Sequence, residues 1–142
     1  ALMIDRFYLT CDALVLPTHC DTFGMVILNA LSCGKPVVTT NQFAARELVR
    51  EGQNGLIVCS RRLLLNETCA PDRSTTRAFV TREADPLLVD ELIEALECLC
   101  ADRARLVRMS REAVKDFEPG GKFSIGERNK RLSRAYADCC AP

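Results

Sequence analysis

Phe23, Gly24 and Met25 stand where a peptide chain can hold a phosphate. They open an apolar run over residues 23–33, just after a second apolar run, Ala13-Leu14-Val15-Leu16. Phosphate asks for N–H donors and positive potential, and the first turn of a helix offers both. Gly24 lacks a Cβ, so the backbone amides of Phe23, Gly24 and Met25 can come close to an anion. The plainer reading is an ordinary helix start in which the glycine serves packing.

These residues need particular elements to position them. Ala13 to Leu16 and Val37-Val38 are continuous apolar runs, as expected of parallel strands covered on both faces. Residues 23–33 are too long and unbroken for a strand, and Gly34 followed by Pro36 ends a helix there. Strand, helix and strand make a βαβ unit. In open parallel sheets ligands bind beyond the carboxyl ends of the strands, near helix N-termini.

Three segments carry a family resemblance. D-A-L-V-L-P-T (residues 12–18) is followed by D-T-F-G-M-V-I-L-N-A-L-S-C-G-K-P-V-V-T-T (residues 21–40), and then by A-R-E-L-V-R-E-G-Q-N-G-L-I-V (residues 45–58). In order and spacing they resemble the sugar-nucleotide-binding core of glycosyltransferase family 4, the "glycosyl transferases group 1". That family has the two-Rossmann-domain GT-B architecture. The resemblance implies an α/β fold, with three strands of a Rossmann-like parallel sheet and flanking helices. The chain would be the partial C-terminal, donor-binding domain, lacking the first strands of that domain and the N-terminal partner domain.

The resemblance also implies an activity: transfer of a sugar from a nucleoside diphosphate donor of UDP or GDP type to an acceptor hydroxyl of a glycan or lipid-linked glycan, with retained anomeric configuration. No metal and no cofactor are required, because helix dipole and basic side chains neutralise the leaving diphosphate. By resemblance, Phe23, Gly24 and Met25 are the phosphate cradle and His19 lies beside the donor sugar, where a lone loop histidine is otherwise incidental. The family's two glutamates fall on Asp21 and Asn29. Asp21 then meets the donor sugar near the reacting carbon, which makes it the catalytic candidate. Asn29 holds the ribose hydroxyls with a neutral acceptor in place of a carboxylate, losing charge-assisted strength. Two alternatives stay open. Asn29 can be a buried asparagine satisfied by backbone, and the chain can be a nucleotide-sugar-binding or regulatory module without turnover.

Composition narrows the classes further. A chain of 142 residues, 48% hydrophobic and 27% charged, suits one domain with a core. Lysine plus arginine equals aspartate plus glutamate at 19 each, so no global basic field argues for nucleic acid. No apolar run reaches the roughly 18–20 residues of a membrane span, and no signal peptide opens the chain. The expected location is cytoplasmic, with peripheral contact at the inner face of a membrane compatible with it. Nine cysteines, without a C-x-x-C pair and with one histidine, read as reduced thiols.

The remaining segments fill in the architecture. Residues 43–50 predict a short helix, with Glu47 in a structural role, and Leu56-Ile57-Val58 a third strand. Residues 59–84 are polar and arginine-bearing and read as an inserted loop, either a basic lid or a solvated excursion. Asp85-Pro86 opens a helix with Leu88, Leu92, Leu96 and Leu99 on one stripe, and residues 103–117 form another. Ser124 and Glu127 have capping-box spacing for a last helix, whose stripe of Ile125, Leu132, Tyr136 and Cys139 is expected in the core.

Overall fold

The computed structural model describes residues 2–18, 21, 23–42, 44–59 and 85–140. Its described elements are α1 (Leu2–Thr10), β1 (Leu14–Leu16), α2 (Met25–Ser32), β2 (Val37–Thr40), α3 (Ala45–Leu48), β3 (Gly55–Val58), α4 (Pro86–Ala101), α5 (Arg103–Lys115) and α6 (Ile125–Cys140). The strands form one sheet in the order β1-β2-β3. Both pairings are parallel, with Leu14 opposite Val37 and Val37 opposite Gly55. The three apolar runs thus give the parallel sheet with flanking helices that they predict.

β2 lies between the other two strands, and its four residues are all buried. Alternation sends Val37 to one face and Val38 to the other. Val37 packs with Ile27, Ala30 and Leu31 of α2, with Ala45 and Leu48 of α3, and with Ala113 of α5. Val38 packs with Leu56 and Val58 and with Leu88, Leu99, Leu106 and Met109 of α4 and α5. Burial of each valine, leucine, isoleucine or methionine among them stabilises the fold by roughly 1.5–3 kcal/mol. β1 is less protected. It forms an edge of the described sheet, and Val15 on it is 41% exposed.

Thr39 and Thr40 bring hydroxyls into this covered strand, where an unpaired polar group would be costly. Thr39 Oγ1 donates to the Leu16 carbonyl at 2.9 Å, and Thr40 Oγ1 donates to the Thr18 carbonyl. Both acceptors belong to the exit of β1. The loop that leads to Asp21 is therefore tied down where it starts.

α2 is shorter than the apolar run at 23–33. Gly24, with φ 73° and ψ 36°, is left-handed and cannot continue a helix, and Cys33 caps the other end. α3 is a single turn, because Val49 returns to an extended backbone. The turn into β3 is built on Asn54, which is buried. Its Oδ1 accepts from Arg50 N at 2.6 Å and its Nδ2 donates to the Leu48 carbonyl at 3.2 Å. The Arg50 guanidinium reaches α5, paired with Asp116 and donating to the Glu112 carbonyl at 3.2 Å.

Leu88 and Leu99 bury as the α4 stripe predicts, while Leu96 stays 37% exposed. Asp102 caps α5 by accepting from Arg105 N at 2.8 Å, a cap the sequence reading missed. Ser124 Oγ accepts from Glu127 N at 3.3 Å, the serine half of the expected capping box. The core expectation for α6 is overturned. No residue of that helix is buried, and Ile125 and Tyr136 are 73% and 70% exposed. Arg128, Arg131, Leu132 and Ala135 line an open groove with Leu28, Phe117 and Phe123 instead, because the two hydrophobic clusters close without α6. The expected insertion at 59–84 lies outside the described residues, apart from Cys59.

Candidate functional site

The carboxyl ends of β1 and β2 open toward the first turn of α2, and Asp21 sits in the loop between them. Its Oδ1 accepts two backbone hydrogen bonds, from Phe23 N at 3.1 Å and from Gly24 N at 2.9 Å. The two amides therefore converge on a single anionic oxygen. An aspartate two and three residues ahead of a pair of amides makes such a turn readily, and the negative charge suits the positive end of a helix. Two of the three amides expected to cradle phosphate thus hold a carboxylate oxygen in this structure, while Met25 opens α2 itself.

Gly24 is buried, and its left-handed backbone gives one reason for glycine here. Packing gives the other. A Cβ at this position would meet Leu48 Cδ1 at 2.7 Å and Ala44 Cβ at 3.7 Å. The start of α2 is pressed against α3, so the glycine serves the junction of these helices as well as any approach by a ligand. The direction of the amides, set by that backbone, is what remains available for binding.

Around this turn the exposed surface is apolar. Phe23 is 61% and Met25 56% exposed, and Val26 continues the patch. Asn29 stands one turn further along α2, exposed, on the same outward side as Met25, Val26 and Ser32. This overturns the alternative of a buried asparagine: the core side of the helix is taken by Ile27, Ala30 and Leu31. His19 falls outside the described residues, as do Cys20, Thr22 and Phe43. Glu47 is exposed on α3, and its carbonyl accepts from Lys122 Nζ at 2.7 Å.

Sequence reading missed the segment after β2. Asn41 N continues the ladder to the Val58 carbonyl at 3.1 Å, and Arg46 Nε donates to the Asn41 carbonyl at 2.6 Å. Gln42 follows, 2% exposed, its carbonyl capping Ala45 N at 3.1 Å. A glutamine in a loop signals little by itself. Its place at the carboxyl end of the middle strand could have flagged it. Among the described residues no three of His, Cys, Asp or Glu converge, and no helix is long and apolar enough to cross a membrane.

Comparison with known proteins places this geometry in a family context. Residues 3–62 match the family model "Glycosyl transferases group 1". A D-inositol 3-phosphate glycosyltransferase of Frankia alni is 40% identical over 58 residues, which is 41% of this chain and 14% of that protein. The Rhodococcus opacus protein of the same name is 27% identical over 111 residues, covering 78% of this chain and 19% of its own length. The crystal structure of Anabaena HepE in complex with UDP-glucose superposes with a TM-score of 0.66 at 20% identity, covering 95% of this chain and 30% of that one. The chain thus spans less than a third of each of these proteins. The fold is that of the matched 30% of HepE, and the segment that carries the candidate site, within residues 3–62, is the part that matches the Glycosyl transferases group 1 family.

Proposed function

We propose that this chain is the donor-binding part of a retaining glycosyltransferase of the GT-B kind. It holds a nucleoside diphosphate sugar for transfer to an acceptor hydroxyl of a glycan or lipid-linked glycan. The observation that carries the reading is the convergence of Phe23 N and Gly24 N on one anionic oxygen at the start of α2. Amides so directed suit a phosphate oxygen as well as a carboxylate. When the donor enters, its phosphate takes the seat and Asp21 turns toward the sugar, where its charge faces the reacting carbon. The positive end of α2 then offsets charge on the departing diphosphate, without a metal. Asn29, exposed one turn along, faces the ribose hydroxyls. The family match over residues 3–62 supports this reading, and the UDP-glucose complex of HepE favours a uridine donor.

The acceptor-side domain, and strands to pair beyond β1, are proposed to come from the rest of a longer protein. That arrangement gives the exposed Val15 and the open edge of β1 a partner. A binding module without turnover is the second reading, favoured by Asn29, whose neutral amide holds ribose less strongly than a carboxylate. Titration calorimetry with UDP, GDP and ADP, followed by a transfer assay with the matching nucleotide sugar, separates the two. Tight binding of one diphosphate with turnover supports the enzyme, and binding without turnover supports the module. No nucleotide binding contradicts both.

A further inference from the structure

Gln42 has an amide with work left undone. It is 2% exposed, and its Nε2 donates to Asn41 Oδ1 at 3.3 Å, at the long end of hydrogen-bond range. Among the described residues its amide oxygen has no partner. Rotating the amide half a turn offers no remedy, because it sets Gln42 Oε1 against Asn41 Oδ1, two acceptors, and leaves Nε2 unpaired. A buried carbonyl without a donor is costly, and a fold does not keep one without reason. The place of Gln42 suggests the reason. It follows the carboxyl end of the middle strand, where ligands of parallel sheets bind. Two residues on, Ala44 Cβ lies 3.7 Å from where a Cβ on Gly24 would stand, beside the converging amides of α2.

We infer that Gln42 is a specificity-determining residue of the donor site, held ready for a hydroxyl of the nucleotide sugar. This rests on the donor-binding reading above. A hydroxyl both donates and accepts, so it satisfies either end of the amide. It also replaces the weak contact to Asn41, whose half-buried side chain can turn aside to admit it. The hydroxyl belongs either to the ribose or to the transferred sugar, the two parts of such a donor that carry hydroxyls.

Gln42→Met keeps the volume and removes both polar ends. Calorimetry of the full chain with UDP and with UDP-glucose, alongside thermal unfolding of both proteins without ligand, tests the inference. We expect an unfolding midpoint equal to or above that of the parent, because an unpaired oxygen has been removed. We expect affinity for UDP-glucose to fall about tenfold, the worth of one good hydrogen bond. An equal fall for UDP assigns the hydroxyl to ribose, and an unchanged UDP affinity assigns it to the sugar. Unchanged affinity for both ligands overturns the role of Gln42 while leaving the donor site standing. A lowered midpoint, or failure to fold, shows that the amide is satisfied within the fold and overturns it too. If the parent chain binds neither ligand, the donor-binding reading itself fails.

Discussion

Asp21 and Gly24 are joined by a 2.9 Å hydrogen bond from the glycine amide to the aspartate carboxylate, and the same oxygen takes the amide of Phe23. In the proposed mechanism one residue therefore does two things in turn. It holds the first turn of α2 in shape without ligand, and it faces the sugar once a phosphate has taken its seat. Replacement of Asp21 by alanine should separate these roles. Binding of UDP should be at least as tight as in the parent, because the carboxylate no longer competes for the amides. Sugar transfer by the complete enzyme should drop by about a hundredfold or more, or roughly 2.7 kcal/mol of barrier. Weaker UDP binding together with unchanged transfer would reverse both assignments.

Gly24→Ala should destabilise the chain more than Gly52→Ala. Both glycines are left-handed, with φ of 73° and 71°, so both substitutions carry the backbone cost of roughly 1–2 kcal/mol. A Cβ on Gly52 meets nothing within 4 Å, whereas on Gly24 it meets Leu48 Cδ1 at 2.7 Å. Urea denaturation of the two variants gives the comparison. Equal losses would mean that α2 and α3 are not packed as described.

Asn29→Glu should leave stability within about 0.5 kcal/mol of the parent, since the residue is exposed on α2. It should strengthen binding of a ribonucleotide donor and leave a 2′,3′-dideoxy analogue unaffected, because a carboxylate offers two acceptor oxygens to the ribose hydroxyls. Paired calorimetric titrations decide the matter. The same change in both ligands would remove residue 29 from the ribose site.

Much of this was legible in the sequence, for identifiable reasons. The runs at Ala13–Leu16, Val37–Val38 and Leu56–Val58 can bury only as covered strands, and the Gly-Lys-Pro stop leaves the chain between them little choice but a helix. Helix ends were less legible. α2 begins two residues late because Gly24 is left-handed, which its letter permits but does not announce. The occupation of two cradle amides by Asp21 was hidden, since it depends on where a flexible side chain turns. The stripe of α6 misled because helical periodicity shows that a face is apolar, not that something covers it. Gln42 was silent until its burial was seen.

The 142-residue chain by itself should self-associate. β1 forms an edge of the described sheet, with no lysine or proline within Leu14–Leu16 to deter pairing, and Val15 is 41% exposed on it. Light scattering at micromolar concentration should report species larger than the monomer. A monomer with a sharp unfolding transition would show that β1 is protected by its own chain.

The central claim is that the amides at the start of α2 seat a donor phosphate. Nitrogen–proton correlation spectra of the labelled protein, recorded during titration with UDP, test it most directly. We predict that the amide signals of Phe23 and Gly24 shift and saturate in step with the calorimetric isotherm, as their hydrogen bonds pass from Asp21 to a phosphate oxygen. Saturable UDP binding that leaves both signals in place would contradict the claim and move the phosphate elsewhere on the molecule.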